Sequence, residues 1–431
     1  MKSYKDTFKG ETVELQSLCE SITDCHHSTP TFTKIGKVVI RSSNIKDGRM
    51  LLDNISFTDE EHFEQRTSRA KPEPEDLIIT REAPMGQVCI IPDGIECCLG
   101  QRMVLIKTNR KKVNHQFLLY SLLSEYTQVQ IGKSNGTGSI VSNLRIPLLK
   151  ELLIPDKDLD VQTRIGNALS VIDKKIELNS KINAELEAMA KLIYDYWFVQ
   201  FDFPDASGKP YKSSGGKMVY NEALKLEIPE GWDVKELGEL VDFERGISYK
   251  SNDILGLGPP MINLNSFSLT GKYKSAGLKS YSGKYKRNKV CRSGDLVIAI
   301  TDVTRNADII GKSFTIPDLF DDDILISCDV AKVLPSSELN KSFLELLFNS
   351  VHYHDYIKYF ASGTLVLHLN LDGVKWFKIP LPPIDLLDKY SSLKQDIDKK
   401  ITLSMKENQK LSEQRDWLLP MLMNGQVMVK S

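Results

Sequence analysis

Runs of alternating apolar and polar residues occupy two separate regions of the chain. In the first region, VVIRSSNI, DLIITRE, QVCII and RMVLI are separated by turn-forming residues, a pattern typical of β-strands. In contrast, HQFLLYSLLSEYTQVQI, and SFLELLFNSVHYHDYI in the second region, repeat apolar residues at helical spacing. The pattern therefore predicts two heads of mixed helix and strand and an α+β fold class.

A long charged segment with heptad spacing follows each head, over residues 160–198 and 385–422. Asn183 and Asn408 occupy equivalent central positions, where asparagine costs stability but fixes the register of a coiled coil. We predict two long helices packed as an antiparallel coiled coil, since the two copies would then be related by an approximate twofold axis. The seam positions are Ile165, Leu169, Ile172, Ile176, Asn179, Asn183, Leu186, Ala190, Ile193 and Trp197, then Tyr390, Lys394, Ile397, Ile401, Ser404, Asn408, Leu411, Arg415, Leu418 and Leu422.

The chain contains an internal repeat with a period near half its length. The sequence IDKKI occurs at residues 172–176 and again at 397–401, an offset of 225. Because further matches keep the same order at similar offsets, the repeat predicts two copies of one architecture. These matches are SNGT at Ser134 with ASGT at Ala361, Ile154-Pro155 with Ile379-Pro380, and EDLII at Glu75 with GDLVI at Gly294.

The repeat, together with the Ile-Pro and Leu-Pro-Pro sequences that follow each head, predicts the domain boundaries. The two heads are expected to differ in sequence more than the helical segments do. The predicted parts are a first head at 1–154, a central helical spacer at 155–203, a linker at 204–227, a second head at 228–382 and a C-terminal helical spacer at 383–431.

Composition limits the class of protein. A formal net charge of -1 argues against a chain coated in positive charge, and seven cysteines without a CxxC pair fit reduced thiols rather than a disulfide framework. The sequence shows neither a secretory signal nor an apolar run long enough to span a membrane. We therefore expect a cytoplasmic protein with no membrane contact.

Basic residues are concentrated where a nucleic acid could be bound. Residues 272–292 contain eight Lys or Arg and no acid, interleaved with three tyrosines, which suits phosphate contacts, although a solvated loop would look the same. Arg, Lys, Asn, Ser and Thr also suit base edges, while Arg81 and Arg102 could equally form structural salt bridges, and SNGT and ASGT could be ordinary turns. The candidate DNA-binding residues are Arg81, Arg102, Lys133, Ser134, Asn135, Thr137, Lys284, Lys286, Arg287, Lys289, Arg305, Ser362 and Thr364.

The motifs of several enzyme classes are missing. The sequence contains no GxxxxGK[ST] phosphate loop and no Asp-Pro-Pro-Tyr or Asn-Pro-Pro-Tyr run of the kind typical of adenine methyltransferases. Pro317-Asp318 is followed by an acid and a lysine at Asp329 and Lys332, but with one residue too many between them for a nuclease motif. The histidines lack metal-ligand spacing. We predict a chain with no catalytic residues and no metal or cofactor of its own.

Along nearly its whole length the chain resembles the specificity subunit of type I restriction-modification systems. The resemblance rests on the order of four segments together with the duplication. These are IDKKIELNSKINAELEAMAKLIYDYWFVQFD, IPEGWDVKELGEL from Ile228, LPPI at 381–384, and QRDWLLPMLMNGQV from Gln414.

The resemblance implies that the heads are target-recognition domains, each binding one half of an asymmetric, gapped sequence in double-stranded DNA. It also implies that the helices space the heads and dock two modification subunits, which bind S-adenosylmethionine and methylate adenine. A restriction subunit that uses ATP and Mg is a further partner in such systems. Two other hypotheses stay open: an enzyme with an unrecognised site, and a coiled-coil scaffold that only links partners.

Overall fold

The computed structural model describes residues 8–52, 54–133, 143–254 and 257–429. The helices are α1 (Glu60–Thr67), α2 (His115–Leu123), α3 (Glu125–Lys133), α4 (Ile146–Lys150), α5 (Leu159–Tyr194), α6 (Lys341–Asn349), α7 (Val351–Ile357), α8 (Leu371–Lys375) and α9 (Ile384–Met423). A π-helical turn at Asp195–Val199 continues α5. The described part of the chain forms two compact units: residues 1–177 with 408–431, called unit 1, and residues 178–407, called unit 2.

Unit 1 contains a four-stranded antiparallel sheet whose two central strands, β7 and β10, are buried and mainly apolar. The order is β2-β10-β7-β8, and Met103 pairs with Thr80 where β10 meets β7. Smaller sheets, among them β6-β3-β9, extend the head. The strands are β1 (Thr12–Glu14), β2 (Cys19–Asp24), β3 (Lys37–Ile40), β4 (Ile45–Lys46), β5 (Arg49–Met50), β6 (Ser56–Thr58), β7 (Leu77–Thr80), β8 (Val88–Ile90), β9 (Cys97–Leu99), β10 (Met103–Thr108) and β11 (Leu153–Pro155).

Unit 2 repeats this sheet in the order β15-β22-β18-β20, with Ala299 paired to Val330. A separate small sheet has the order β19-β24-β23, and its first strand, β19, follows β18 along the chain. The strands are β12 (Met218–Asn221), β13 (Leu226–Pro229), β14 (Asp233–Glu236), β15 (Val241–Arg245), β16 (Pro260–Ile262), β17 (Lys279–Ser280), β18 (Leu296–Ala299), β19 (Thr301–Asp302), β20 (Ser313–Thr315), β21 (Leu325–Ile326), β22 (Val330–Pro335), β23 (Ala361–Ser362), β24 (Leu367–Leu369) and β25 (Lys378–Leu381).

The repeat extends to the caps and closing strands. Asn114 caps the N-terminus of α2 by accepting from the backbone N–H of Phe117, and Asn340 caps α6 by accepting from Phe343. The Ile-Pro dipeptides lie in β11, which pairs with β1, and in β25, which pairs with β14. The predicted α+β class and duplicated heads are confirmed.

The two long helices follow the predicted spans within two residues. No seam residue is exposed, and in each unit the hydrogen bonds between α5 and α9 join antiparallel segments. In unit 1, Arg415 donates to Asp173 at 2.8 Å, and in unit 2, Asn179 donates to Glu407 at 2.7 Å. Within each unit, the contacting residues have rising numbers along α5 and falling numbers along α9, as antiparallel helices require.

The two predicted register asparagines have different surroundings. The Asn408 side chain donates to the carbonyl of Ile176 at 3.5 Å, whereas Oδ1 of the half-buried Asn183 finds no partner among the described residues. Their role in fixing the register stays a prediction. The predicted domain boundaries also stay predictions, and each compact unit joins one head with parts of both helices. The predicted linker contains the hairpin of β12 and β13.

Candidate nucleic-acid interface

In both large sheets the same backbone hydrogen bonds form at the end where β7, or its counterpart β18, finishes. We call this end of the sheet the loop edge of each unit. In unit 1 the N–H of Arg81 donates to the carbonyl of Arg102 at 2.7 Å, and the corresponding bond in unit 2 joins Ile300 to Asp329 at 2.9 Å. Leu144 donates to Arg81, and its counterpart Leu369 donates to Ile300. The loops that follow β2 and β7, or β15 and β18, therefore emerge together, a few strand spacings of about 4.8 Å apart.

Arg81 lies at the loop edge but serves the fold of unit 1. Its side chain is only 13% exposed and forms an ion pair with Asp24 at 2.7 Å. The guanidinium also donates to the carbonyl of Leu144 and to Oδ1 of Asn143. These contacts match the structural salt bridge that the sequence left open as an alternative for this residue.

Arg102 is adjacent to Arg81 and more accessible. Its side chain is 52% exposed and pairs with Glu82 at 3.2 Å, while its backbone adopts a left-handed conformation with φ of 66°. A half-exposed ion pair of this kind contributes little to stability and can exchange its partner for a phosphate or a base. Lys133 ends α3. Ser134, Asn135 and Thr137 lie outside the described residues.

In unit 2 the basic segment divides into anchored and unpaired residues. Lys289 lies 3.5 Å from Glu244 and donates to the carbonyl of Arg245 at 2.8 Å, which fixes this segment to the end of β15. Lys284, Lys286 and Arg287 are exposed, and none of them forms an ion pair with any residue that the structure describes. They form a basic surface at the loop edge whose cationic side chains are not held in ion pairs, which suits phosphate binding.

The structure also brings together Arg305, Ser362 and Thr364. Arg305 is exposed in the loop after β19, whose Thr301 pairs with His368 of β24. Ser362 pairs with the same His368 from β23, and Thr364 lies in the turn between the two strands. The loop and the hairpin are thus held by neighbouring strands of one small sheet.

Several polar residues at the loop edge were not among the candidates predicted from the sequence. Asp302 is fully buried and accepts backbone hydrogen bonds, and Asn306 is exposed beside Arg305. Asp24 pairs with Arg81, and Glu82 pairs with Arg102. The Asp-x-Thr sequence at 302–304 is typical of a turn in which the aspartate side chain accepts from the backbone. Many polar loops contain such a sequence, so it does not by itself indicate a functional residue.

The cysteines are free thiols, and burial suppresses their ionisation. Burial raises the pKa of Cys97 to about 12 and that of Cys98 to about 11. Cys328, the exposed thiol, lies at the loop edge of unit 2 beside Asp329, and partial burial raises its pKa as well. These thiols are poor nucleophiles at neutral pH.

No described part of the chain brings three or more His, Cys, Asp or Glu side chains close enough to hold a metal ion. None of the helices among the described residues has the length and apolar character needed to cross a membrane.

The helices carry apolar side chains on faces turned away from their seams. In unit 2, Ile182, Met189 and Leu192 of α5 and Leu403 of α9 are exposed. In unit 1, Val171 and Trp417 are exposed in the same way. Apolar positions repeated along an exposed helix face are typical of a surface that another protein covers.

Comparison with known proteins identifies the repeat. The family model for the type I restriction modification DNA specificity domain matches residues 9–188 and again residues 229–413. The type I restriction enzyme MjaIX specificity subunit of Methanocaldococcus jannaschii is 27% identical over 367 residues, covering 82% of this chain and 78% of the relative. The HindI specificity subunit of Haemophilus influenzae is 24% identical over 375 residues, covering 76% and 81%.

A solved structure shares the fold. The crystal structure of the type I restriction-modification system S subunit from M. genitalium superposes with a TM-score of 0.56 at 16% identity, covering 98% of this chain and 97% of that one. The two family matches include both heads and most of both long helices. This chain therefore belongs to the family of type I restriction-modification DNA specificity proteins and contains two copies of the family's domain.

Proposed function

We propose that each unit of this specificity subunit binds one half of an asymmetric, gapped sequence in double-stranded DNA, using the loops at its loop edge. The observation that carries the proposal is one sheet edge built twice with different loops. Between the paired strands, unit 1 has residues 81–87, whereas unit 2 has the longer segment 300–312. Because recognition depends on which side chains reach the base edges, equal scaffolds with unequal loops favour two different half-sites.

The charges support DNA as the ligand. Lys284, Lys286 and Arg287 of the basic surface form no ion pair with a described residue, although Tyr285 between them donates to Asp323. Arg102 and Arg305 are exposed at the loop edges. Phosphate contacts from such residues give affinity, and polar loop residues beside them give sequence preference.

The second part of the proposal concerns partners. We propose that α5 and α9 dock two modification subunits through their exposed apolar positions, such as Met189, Leu192 and Leu403. In this proposal the partners carry the chemistry: S-adenosylmethionine and adenine methylation belong to the modification subunits, and ATP and Mg to a restriction subunit. The chain itself would catalyse nothing.

The test is a genome-wide map of methylated adenine in cells that express the modification subunit encoded with this chain, with and without the chain. The proposal predicts a two-part motif that is methylated only when the chain is present. A stable complex with methylation that does not depend on the chain would contradict sequence selection and favour the scaffold hypothesis. In cells that express the chain without the modification subunit, methylation would favour the enzyme hypothesis.

A further inference from the structure

Asp302 organises the longest loop at the loop edge of unit 2. Its side chain is fully buried, and Oδ1 accepts from the backbone N–H of Thr304 at 2.6 Å. Oδ2 accepts from the N–H groups of Ile309 and Ile310 at 2.6 and 2.9 Å. A buried carboxylate is costly unless hydrogen bonds compensate it. Since backbone donors of one loop provide these bonds, the loop cannot change shape without exposing the carboxylate.

The same residue fixes a second loop. The backbone of Asp302 pairs with Leu367, and the neighbouring Thr301 pairs with His368, so the β23–β24 hairpin is joined to the strand that carries the carboxylate. Ala307, which adopts a left-handed φ of 58°, closes the first loop. A non-glycine residue is held in that conformation only when its surroundings determine it.

The tips of these two loops differ chemically from the basic surface. Val303 is 62% exposed and Leu365 is 88% exposed, and Arg305 and Asn306 are exposed beside Val303. The combination of apolar groups with one guanidinium and one amide matches the chemistry of the major groove. Arginine binds guanine O6 and N7 with two hydrogen bonds, asparagine binds adenine N6 and N7, and apolar side chains contact the thymine methyl group.

We infer that Asp302 positions a base-recognition surface made of Val303, Arg305, Asn306 and Leu365, while Lys284, Lys286 and Arg287 contact only phosphates. The inference rests on the proposed function and specifies it at residue level. Asp302 acts through the loops and is a positioning residue, not a DNA contact. The two surfaces therefore affect binding in different ways.

The experiment uses the full chain in complex with its modification subunit. Affinity is measured for a duplex that carries the mapped motif and for a duplex with the second half-site scrambled, each at several salt concentrations. Arg305→Ala and Leu365→Ala alter exposed side chains and should not affect folding. Asp302→Asn keeps the shape of the side chain but places an amide N–H₂ against backbone donors. The matched control is the double variant Lys284→Ser with Lys286→Ser.

We expect Arg305→Ala to reduce the preference for the intact motif by roughly 5- to 150-fold, the range of one good base contact. Asp302→Asn should reduce the same preference and leave the salt dependence almost unchanged. The lysine double variant should weaken binding to both duplexes equally and lower the slope of log K against log salt by roughly 2. In the methylation map, only the second half of the motif should become degenerate in Arg305→Ala and Asp302→Asn.

The inference is overturned if Arg305→Ala and Leu365→Ala keep the wild-type preference, or if the lysine double variant alters the motif. A purely structural role for Asp302 would give loss of methylation at both halves, or an unfolded chain, without a degenerate second half. Failure of the proposed function is distinct, since the wild-type complex would then bind both duplexes alike.

Discussion

A buried lysine on the helical seam gives the sharpest stability prediction. Lys394 of α9 has a side chain only 6% exposed, and its ammonium lies 3.2 Å from Glu345 of α6 and 2.7 Å from Asp398. Glu345 also accepts from the backbone N–H of Thr315. The lysine therefore joins the second head to its helix through charge.

Unit 1 has apolar residues at the positions of Lys394, Glu345 and Thr315. The residues at the corresponding positions are Leu119 on α2, Leu169 on α5 and Ile90 at the end of β8, and they belong to one apolar cluster. The correspondence follows from the capping asparagines, the IDKKI sequences and the register of β8. The chain thus contains its own apolar control for the buried ion pair.

Removing Lys394 alone leaves the buried carboxylate of Glu345 without its cation. Breaking a buried ion pair in this way costs about 3–5 kcal/mol, and the lower value applies because the Asp398 side chain is 38% exposed and can be hydrated. Lys394→Leu should therefore destabilise unit 2 by about 3 kcal/mol. The triple variant Thr315→Ile, Glu345→Leu and Lys394→Leu copies unit 1 and should lie within about 1 kcal/mol of the wild type, because apolar replacement of a buried pair is often neutral.

The assay is urea unfolding followed by tryptophan fluorescence. Trp197, Trp232 and Trp376 lie in unit 2, and the exposed Trp417 lies in unit 1, so a Trp417→Phe background reports unit 2 alone. Separate transitions for the two units would be fitted separately, since a two-unit chain need not unfold in one step. A cost of less than about 1 kcal/mol for Lys394→Leu, or a triple variant as unstable as the single one, would refute a stabilising buried ion pair.

The ion pair also gives a pH dependence. Burial alone would lower the pKa of Lys394, but Glu345 and Asp398 raise it above its ordinary value of 10.5. A lysine whose pKa is higher in the folded state contributes stability that is lost as pH rises through that folded pKa. Unit 2 of the wild type should therefore lose stability more steeply above about pH 10.5 than the triple variant does, measured by the same unfolding assay.

Three further predictions concern the loop edges and the helices. Cys328 should react with a thiol reagent well before the buried cysteines, and DNA carrying the target should slow it; an unchanged rate with DNA would place that edge away from the ligand. Asp173→Ala removes the acceptor of Arg415, Arg49 and Tyr120 and should destabilise unit 1 by about 2–4 kcal/mol in urea unfolding, while a change below 0.5 kcal/mol would contradict the contacts. Arg81→Met should destabilise unit 1 by about 3 kcal/mol, and DNA preference lost without any loss of stability would instead make it a base contact.

The sequence was most informative where structure repeats with a fixed period. The heptads predicted both long helices and their buried faces, because a period of three and four residues is a local property of a helix. The duplicated motifs predicted two heads of one architecture, and both large sheets confirm it. Lys394, a polar residue at a predicted seam position, is also buried, but it pairs with Glu345 of α6 and Asp398 of its own helix.

The roles of individual polar residues could not be predicted in the same way. Arg81 is held by Asp24, and Lys394 by Glu345, across chain separations of 57 and 49 residues that no local pattern encodes. The basic segment looked uniform in sequence, yet only the fold shows that Lys289 is an anchor while Lys284 is unpaired among the described residues. Asp302 accepts from backbone N–H groups of its loop. Since every residue except proline has such a group, the sequence does not show which ones a buried carboxylate will use.

The most direct test of the central claim is a map of methylated adenine for a chain whose second head is exchanged. Residues 237–377 would be replaced by the corresponding segment of a family member whose motif has been mapped in the same way, with both long helices kept. We expect one half of the two-part motif to change to that of the donor while the other half is retained. A motif that changes in both halves, or in neither, would contradict the assignment of one half-site to each unit.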